Sequence, residues 1–581
     1  MSALNIDHSV TGQPWRWRRP PHDGLAMDAL VDELLLARGV PRDDLPRHRE
    51  PKIRDFLPDP SCFSDMEKGA KRLADAIQAD ETVAIFGDYD VDGATSAALL
   101  TLLLRRLGAE PMVYIPDRLM EGYGPSGKAL VELKGRGASV AVCVDCGAQA
   151  HDALSEAKAA ELDVIVVDHH QCASLLPVAH AMINPNRLDE SADGAAHGHL
   201  AAVGMAFLLG VALLRELRGR NFFEGREEPK ILDLLDLVAL GTVADVARLK
   251  TLNRAFVTQG LKVMKARQNI GMAALIEASR LTKSPSCRDL GFALGPRINA
   301  GGRVGKSDLG VRLLTSADPE EARTIAIELD RLNEERRAIE MIVTDQATLQ
   351  ASRLDGPVIT VMSPGWHQGV IGIVAGRIKE LFGRPAIVIA ETEDGTGKGS
   401  GRSISGVDLG AAVLAAKESG LLIAGGGHAM AAGLTMPPGG LEAFREFINE
   451  RLAADVQKSR SDRALLLDAL LAPGGVAGAL CDALDSAGPY GAGWPQPRVA
   501  AGPVRLLKTG IVGEGHVRGI GCGDDGKSFK WIAFRSAATP LGQALLSAPG
   551  DQRWWLAGTI KRDEWNGGNA AEMHLEDAAL A

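Results

Sequence analysis

Four separate stretches of this chain close an apolar run with carboxylates or imidazoles. They read GDYDVDG at 87–93, VDCGA at 144–148, VDHHQ at 167–171 and GTVADVA at 241–247. Together they offer Asp88, Asp90, Asp92, Asp145, Asp168, Asp245 and the pair His169 and His170. If the fold gathers them, two unit charges 4 Å apart repel by about 4 kcal/mol even at an effective dielectric of ~20. Divalent cations relieve that repulsion, and two account for so many acids more economically than one. Mixed carboxylate and imidazole donors favour manganese or magnesium and are compatible with iron or zinc, whereas thiolate-selected metals are disfavoured.

Duller readings of the same residues fit less well. Asp88, Asp90 and Asp92 open like a calcium-binding EF-hand loop, but its twelfth position requires Glu and here is Leu99. A phospho-receiver pocket leaves the two histidines and Asp245 without a task. Cys143 and Cys146 have metal-site or redox spacing, yet Cys143 falls inside a strand pattern and no second cysteine pair accompanies them. A structural role is expected for both, with Asp145 the functional member.

The elements that must position these groups are legible from periodicity. Apolar runs at 82–86, 112–115, 139–144 and 163–167 alternate with helical stretches, the first at 94–107 with Leu99, Leu100, Leu103 and Leu104 on one side. Such alternation predicts a parallel sheet with helices on both faces, where ligands gather beyond the carboxyl ends of the strands. Asp88, Asp145 and Asp168 each follow such a run, and Asp245 follows the apolar stretch 234–240. This α/β catalytic domain is assigned to 61–315. A helical pattern without internal Gly or Pro runs from 319 to about 351, on the order of 50 Å long. It is too long for one small domain and predicts a connecting helix over 316–352. Runs at 358–362 and 386–390 open a second α/β unit over 353–455, and the polar stretch 453–463 reads as a connection. Short strands at 504–507, 517–521, 529–534 and 554–561, parted by Gly-rich turns, predict a small oligonucleotide-binding type of barrel over 465–581.

The arm at 1–60 is rich in Pro, Arg and Asp and should be extended, with one helix near 27–38. Within it Trp15, Arg16, Trp17, Arg18 and Arg19 mix rings and charge. They suit a strand-binding patch or, more simply, an arm packed on the first domain.

A length of 581 residues exceeds one core and predicts three or four domains. A hydrophobic fraction of 46% and a charged fraction of 24% exclude collagen-like, disordered and disulfide-scaffold chains. The net charge of −10 excludes a histone-like coat but leaves nucleic acid open as a substrate, because a basic groove can line one face. Seven cysteines without a repeating spacing suit a reducing cytosol. No secretory signal opens the chain, and its longest apolar stretch, 97–104, is far short of the roughly 20 residues of a bilayer span. A cytoplasmic protein without membrane attachment is expected.

The four motifs, taken in order, resemble those of the DHH phosphoesterase superfamily, whose members bind two divalent ions. LGPRINAGGRV at 294–304, HQGVIGIVAGRI at 367–378, SGRSISGV at 400–407, GGGHAMAAG at 425–433 and GPYGAGWPQP at 488–497 are similar to segments of its bacterial single-strand-specific 5′→3′ exodeoxyribonucleases. Where those relatives often carry Asn after GAG, this chain has Trp494. The resemblance, covering about 50–535, implies Asp88, Asp90, Asp92, Asp145, His169 and Asp245 as ligands of two Mn2+ or Mg2+ ions. It implies contact between His170 and the scissile phosphate, and it places the Gly-rich segment around His428 in a DHH-associated domain facing the metals. Asp92 and His170 are the residues expected to act directly in catalysis. Two ions roughly 3.5–4 Å apart can activate water, neutralise the phosphate and stabilise the leaving alkoxide. Hydrolysis without a covalent enzyme intermediate is therefore expected, since no residue resembles a dedicated nucleophile.

Arg297, Arg303, Arg402, Ser403 and His428 are candidates to grip the terminal phosphate, arginine because its planar fork donates two hydrogen bonds at once. Gly301, Gly302 and the run Gly425, Gly426 and Gly427 would let backbone amides approach phosphate or, equally, form tight turns. Trp531 and Phe534 fall on opposite faces of one strand, so at most one faces bases. The expected substrate is single-stranded DNA, cut from its 5′ end in repair and recombination by a monomer. Single-strand-binding protein and a RecQ-type helicase are partners by family implication only. Two alternatives compete: a superfamily member acting on oligoribonucleotides, cyclic dinucleotides or pyrophosphate, and a binding-only relative that keeps the fold without catalysis. The chain's length disfavours the first and its complete ligand set the second.

Overall fold

Every residue of the strand Val83–Gly87 is buried, as befits a strand covered by helices on both sides. It lies in an all-parallel sheet ordered Met112–Tyr114, Val83–Gly87, Val140–Val144, Asp163–Val167 and Ala181–Ile183. The computed structural model describes residues 1–21, 27–117, 121–122, 124–563 and 570–581. From Val83–Gly87 the chain first builds the strand on one side, then returns on the other at Val140–Val144. Strand order thus reverses between these two, and a crevice opens beyond their carboxyl ends. Asp88 and Asp145 follow the two strands that flank it. The helices Met66–Gln78, Val91–Arg106, Ala202–Gly219 and Leu235–Ala244 cover one face, and Gly127–Gly135 and His151–Ala159 cover the other.

Asp245 is delivered differently from the other acids. The apolar stretch 234–240 opens the helix Leu235–Ala244, and Asp245 is its C-cap. Its residues Leu235 to Thr242 are buried without interruption, and a helix buried on all sides has no polar stripe to reveal its period.

The helix Pro319–Ala351 starts on Asp318, whose side chain accepts the Glu320 amide at 2.9 Å. It ends in a second unit with a mixed sheet ordered Ala424–His428, Ala431–Met436, Gly397–Arg402, Ala386–Glu391 and Ile359–Pro364. Only Ile359–Pro364 and Ala386–Glu391 pair in parallel there. Of the three remaining strands, Gly397–Arg402 and Ala424–His428 carry three glycines each and so lack a strand signal of their own, because glycine has little strand propensity. The polar stretch 453–463 is not a connection as expected: up to Ser461 it continues the helix Leu441–Ser461, carried by Phe444, Ile448, Leu452 and Val456 at four-residue spacing on one buried stripe.

Arg498–Val512, His516–Cys522, Ser528–Ala533, Ala571–Leu580 and Trp554–Arg562 close into a five-stranded barrel, to which Ala469–Leu471 adds in parallel. Trp531 is buried in it, while Phe534 is exposed between His516 and His574. The arm forms its helix at Met27–Ala37 and packs on both units. Ile6, Trp15, Trp17 and Leu34 join the barrel, while Val31, Leu35, Val40 and Leu45 pack with Leu249, Val257 and Cys287 of the first domain, as expected for an arm packed there. Trp15–Trp17 pairs in parallel with Leu465–Leu467, and the Trp15 indole donates to Asp577 Oδ2 at 2.9 Å. Both tryptophans are buried, so neither is presented to stack on bases. Among the described residues no helix is long and apolar enough to cross a membrane.

Candidate metal centre

Three overlapping groups of donors converge at the crevice: Asp88, Asp90 and Asp145; Asp145, His169 and His170; and Asp92, His169 and Asp245. Within each group one donor atom per residue lies within 4.8 Å of the others. Asp145 and His169 are each shared by two groups, so a single pocket holds all six ligands implied by the motifs.

The backbone holds these side chains in place. Asp90 caps the helix Val91–Arg106, its Oδ1 accepting the amides of Asp92 at 2.9 Å and Gly93 at 3.2 Å. Only glycine fits at 93, where a Cβ would stand 2.5 Å from the Asp88 carbonyl oxygen. Asp92 is buried and accepts the amides of Ala202 at 2.7 Å and Val203 at 3.0 Å, at the N-terminus of Ala202–Gly219, where the helix dipole favours a carboxylate. Asp145 has φ 60° and Val246, next to Asp245, has φ 61°. A β-branched residue there is a conformational outlier, and such strain clusters at functional sites.

His169 Nε2 lies 3.3 Å from Asp145 Oδ1 and 3.8 Å from Asp92 Oδ2, and its Nδ1 lies 3.9 Å from Asp245 Oδ2. That Nε2 is buried and makes no hydrogen bond among the described residues. Burial, then the neighbouring His170, lowers His169 to about 4, so it is a neutral imidazole, the form that binds a metal. Burial, then the charge of Asp90, raises Asp92 to about 7. Burial followed by neighbouring carboxylates also raises Asp145 and Asp245 well above the ordinary range. Buried oxygens that resist charge, set around an imidazole nitrogen without a proton partner, fit divalent cations.

Asp168, which the motifs singled out without a role, organises the histidine pair. Its Oδ1 takes the His170 ring Nδ1 at 2.7 Å and the amides of His169 at 2.7 Å and His170 at 3.1 Å, while Oδ2 accepts the Ala148 amide at 3.0 Å. Burial alone would raise it, but the His170 hydrogen bond and charge hold Asp168 at about 2. Burial would lower His170, and Asp168 outweighs it and raises His170 above its ordinary value. Asn184 and Asn186 donate to the carbonyls of His170 at 2.8 Å and His169 at 2.6 Å. Sequence reading passed over both asparagines, although Asn-Pro-Asn directly after Ala181–Ile183 is a turn signal beside the DHH motif.

The residues expected to grip phosphate divide into two sets. Arg297 is spent internally: Nε and Nη2 hold Asp330 Oδ1 at 2.9 and 2.8 Å, and Nη1 donates to the Ala293 carbonyl at 2.7 Å. Ser403 is buried, and its hydroxyl donates to the Val407 carbonyl at 2.7 Å, shaping a turn. Neither side chain is presented to a substrate as expected. Arg303 follows Gly302, where a Cβ would stand 2.8 Å from the Tyr89 carbonyl oxygen, so this helix abuts the GDYDVDG loop. Arg303 also donates to the Gly369 carbonyl at 2.8 Å and Arg402 to Ser400 Oγ at 3.1 Å. Gly426, Gly427 and His428 lie on an edge strand rather than in a loop, and Gly427 and His428 are exposed.

Three family models match in order: the DHH family N-terminal domain over 82–242, the DHHA1 domain over 355–454 and the RecJ OB domain over 467–577. The chain is 39% identical over 506 residues to the single-stranded-DNA-specific exonuclease RecJ of Dickeya dadantii, covering 85% of this chain and 86% of that protein. It is 38% identical over 502 residues to the Escherichia coli protein of the same name, covering 84% and 86%. The crystal structure of RecJ from Thermus thermophilus in complex with Mn2+ superposes with a TM-score of 0.79 at 28% identity, over 97% of this chain and 79% of that one. Its Mg2+ complex gives a TM-score of 0.73 at 27% identity, over 97% and 78%. With DHH, DHHA1 and OB units matched in sequence and the whole arrangement matched in space, this chain belongs to the RecJ family of single-stranded-DNA-specific exonucleases.

Proposed function

We propose that this chain is a metal-dependent exonuclease that degrades single-stranded DNA from its 5′ end to 5′-mononucleotides, in repair and recombination. The observation that carries this reading is the convergence of three donor groups on one pocket through Asp145 and His169. On this reading 61–315 supplies the chemistry, 353–455 the grip on the strand and 465–581 its guidance, with 1–60 bracing the barrel and 316–352 joining the two α/β units.

Asp88, Asp90, Asp92, Asp145, His169 and Asp245 would hold two divalent cations, Mn2+ or Mg2+. When bound, such a pair lowers the pKa of water and neutralises the phosphate. The chain's own residues prepare the pocket. The amides of Ala202 and Val203 fix Asp92, so its oxygens need no reorganisation. Asp168 fixes the His170 ring by Nδ1 and favours the imidazolium, whose remaining N–H can donate to a non-bridging phosphate oxygen. Asp92 acts as a ligand rather than a proton carrier, its charge set by the cations. Arg303, Arg402, His428 and the amides of Gly426 and Gly427 remain the candidates for the terminal phosphate, with Arg297 and Ser403 reassigned to support. The enzyme would work as a monomer in the cytoplasm, with single-strand-binding protein and a RecQ-type helicase carried over from the family alone.

A 5′-labelled, 5′-phosphorylated single strand incubated with Mn2+ should release labelled mononucleotide at once, and a 3′-labelled copy should shorten progressively. Chelator should stop both. Metal-independent cutting, or faster turnover of dinucleotides than of long strands, would sink this reading.

A further inference from the structure

The helix Pro319–Ala351 is anchored by apolar groups at both ends and by charge in its middle. Ala322, Ile325, Ala326, Leu329 and Leu332 lie in the catalytic core, and Val343, Ala347 and Ala351 in the core of the second unit. Between these anchors Asn333, Arg336 and Glu340 are buried, with 3%, 8% and 2% of their surface exposed. Arg336 Nη1 donates to Glu340 Oε2 at 2.5 Å, and Nη2 to Asn333 Oδ1 at 2.9 Å. The other oxygen of Glu340, Oε1, accepts from Nε of Arg377 on the helix Ile371–Phe382 of the second unit. A single buried carboxylate therefore ties the connecting helix to the second unit.

Burying these charged groups carries a desolvation penalty that apolar residues of similar volume would avoid, so stability alone does not account for them. What this buried network adds is a single geometry: both Nη atoms of Arg336 and both oxygens of Glu340 are engaged, although Arg336 Nε is buried without a partner among the described residues. A second contact steadies the same helix. Arg303 Nη1 donates to the Gly369 carbonyl, and a Cβ on Gly369 would stand 2.6 Å from the Arg303 carbonyl oxygen. Gly372, in the first turn of Ile371–Phe382, packs beside Arg402, whose Nη2 would be 3.1 Å from an added Cβ. Glu340 thus reaches Arg402 through one rigid helix.

We propose that Asn333, Arg336, Glu340 and Arg377 are positioning residues that set the gap between the metal pocket and the Arg402 face, and so the preference for one strand over two. This rests on the exonuclease reading above. Arg377 is the safer residue to alter, since 54% of its side chain is exposed. In full-length Arg377→Gln with Mn2+, KM for a 5′-phosphorylated single strand should rise about tenfold while kcat stays within about twofold. Preference over blunt duplex should fall about tenfold. Mn2+ affinity should not move, because every ligand lies in the catalytic unit. Adding Glu340→Gln should produce little further change in KM, as expected for two groups acting through each other. Spin labels on non-natural residues at Leu175 and Ile423, both exposed and one in each unit, should report a broader distance distribution in Arg377→Gln. An unchanged KM, an unchanged distance distribution or a changed Mn2+ affinity would each overturn the proposal. Wild-type protein inactive on DNA would instead sink the exonuclease reading, while the distance measurement would still test the joint.

Discussion

Two buried acids, Asp468 and Asp145, have opposite settings. Asp468, 8% exposed, is held by the guanidinium groups of Arg18 at 2.9 Å and Arg38 at 2.8 Å and accepts the Arg498 amide at 3.0 Å. Asp145, 2% exposed, stands among Asp88, Asp90, Asp92 and Asp245 and faces two imidazoles. Where an acid serves only to join the arm to the barrel, the chain supplies its counter-charge. In the proposed metal pocket carboxylates are instead gathered in excess of any counter-charge the chain supplies, which is the setting that divalent cations would complete.

The largest expected effect tests the chemical side of that contrast. Asp145→Asn and His169→Ala should each lower kcat on single strands by on the order of a thousandfold or more, measured by mononucleotide release with Mn2+. Asp145→Asn should also leave metal-free stability unchanged or raised, because its neighbours already oppose its charge. Loss of fold in that variant would blur the contrast. Asp468→Asn should do the reverse and cost about 3–5 kcal/mol by leaving buried Arg38 without its partner, read by denaturant unfolding, with Mn2+ affinity of the folded fraction unchanged.

A smaller effect is expected at Asp168, which belongs to both settings because it is paired and yet sits at the metal pocket. Asp168→Asn should cut activity about 10–100-fold and bring the His170 pKa down, as followed by NMR of the ring. The smallest effect is a pH dependence. Asp92, Asp145 and Asp245 have raised values, so the folded metal-free chain holds protons that an unfolded chain has already released above about pH 4. Their stabilisation is therefore lost as pH rises through about 7 for Asp92. Asp168 contributes in the opposite sense, losing its share only as pH falls through about 2. The Tm gained on adding Mn2+ should accordingly be larger at pH 8 than at pH 5.5, and Asp145→Asn should flatten that difference.

How much was legible depended on whether a residue's environment leaves a local trace. Strands buried on both faces print apolar runs, so the catalytic sheet and the acids that follow it were readable, as was the full span of the connecting helix. The helix before Asp245 was not, because burial on every side erases its period. Nor were the strands Gly397–Arg402 and Ala424–His428, whose pairing rests on partners far along the chain rather than on their own glycine-rich composition. At the site, the motif acids and His169 were legible and the fold gathers them, but the fates of Arg297 and Ser403 turned on Asp330 and on the Val407 carbonyl. A tertiary partner of that kind leaves no mark on the arginine or serine itself.

The barrel and the arm also constrain how the molecule is made. Trp15 and Thr11 find their partner, Asp577, more than 560 residues later. On a ribosome adding 5–20 residues per second, that interval is roughly half a minute to two minutes. Through most of it the Trp15–Trp17 strand lacks both its pairing partner Leu465–Leu467 and the acceptor for the Trp15 indole. The arm's two ends thus find shelter at different times: its residues 31–57 meet partners in the catalytic unit early, whereas Trp15 must wait for the barrel strand that carries Asp577.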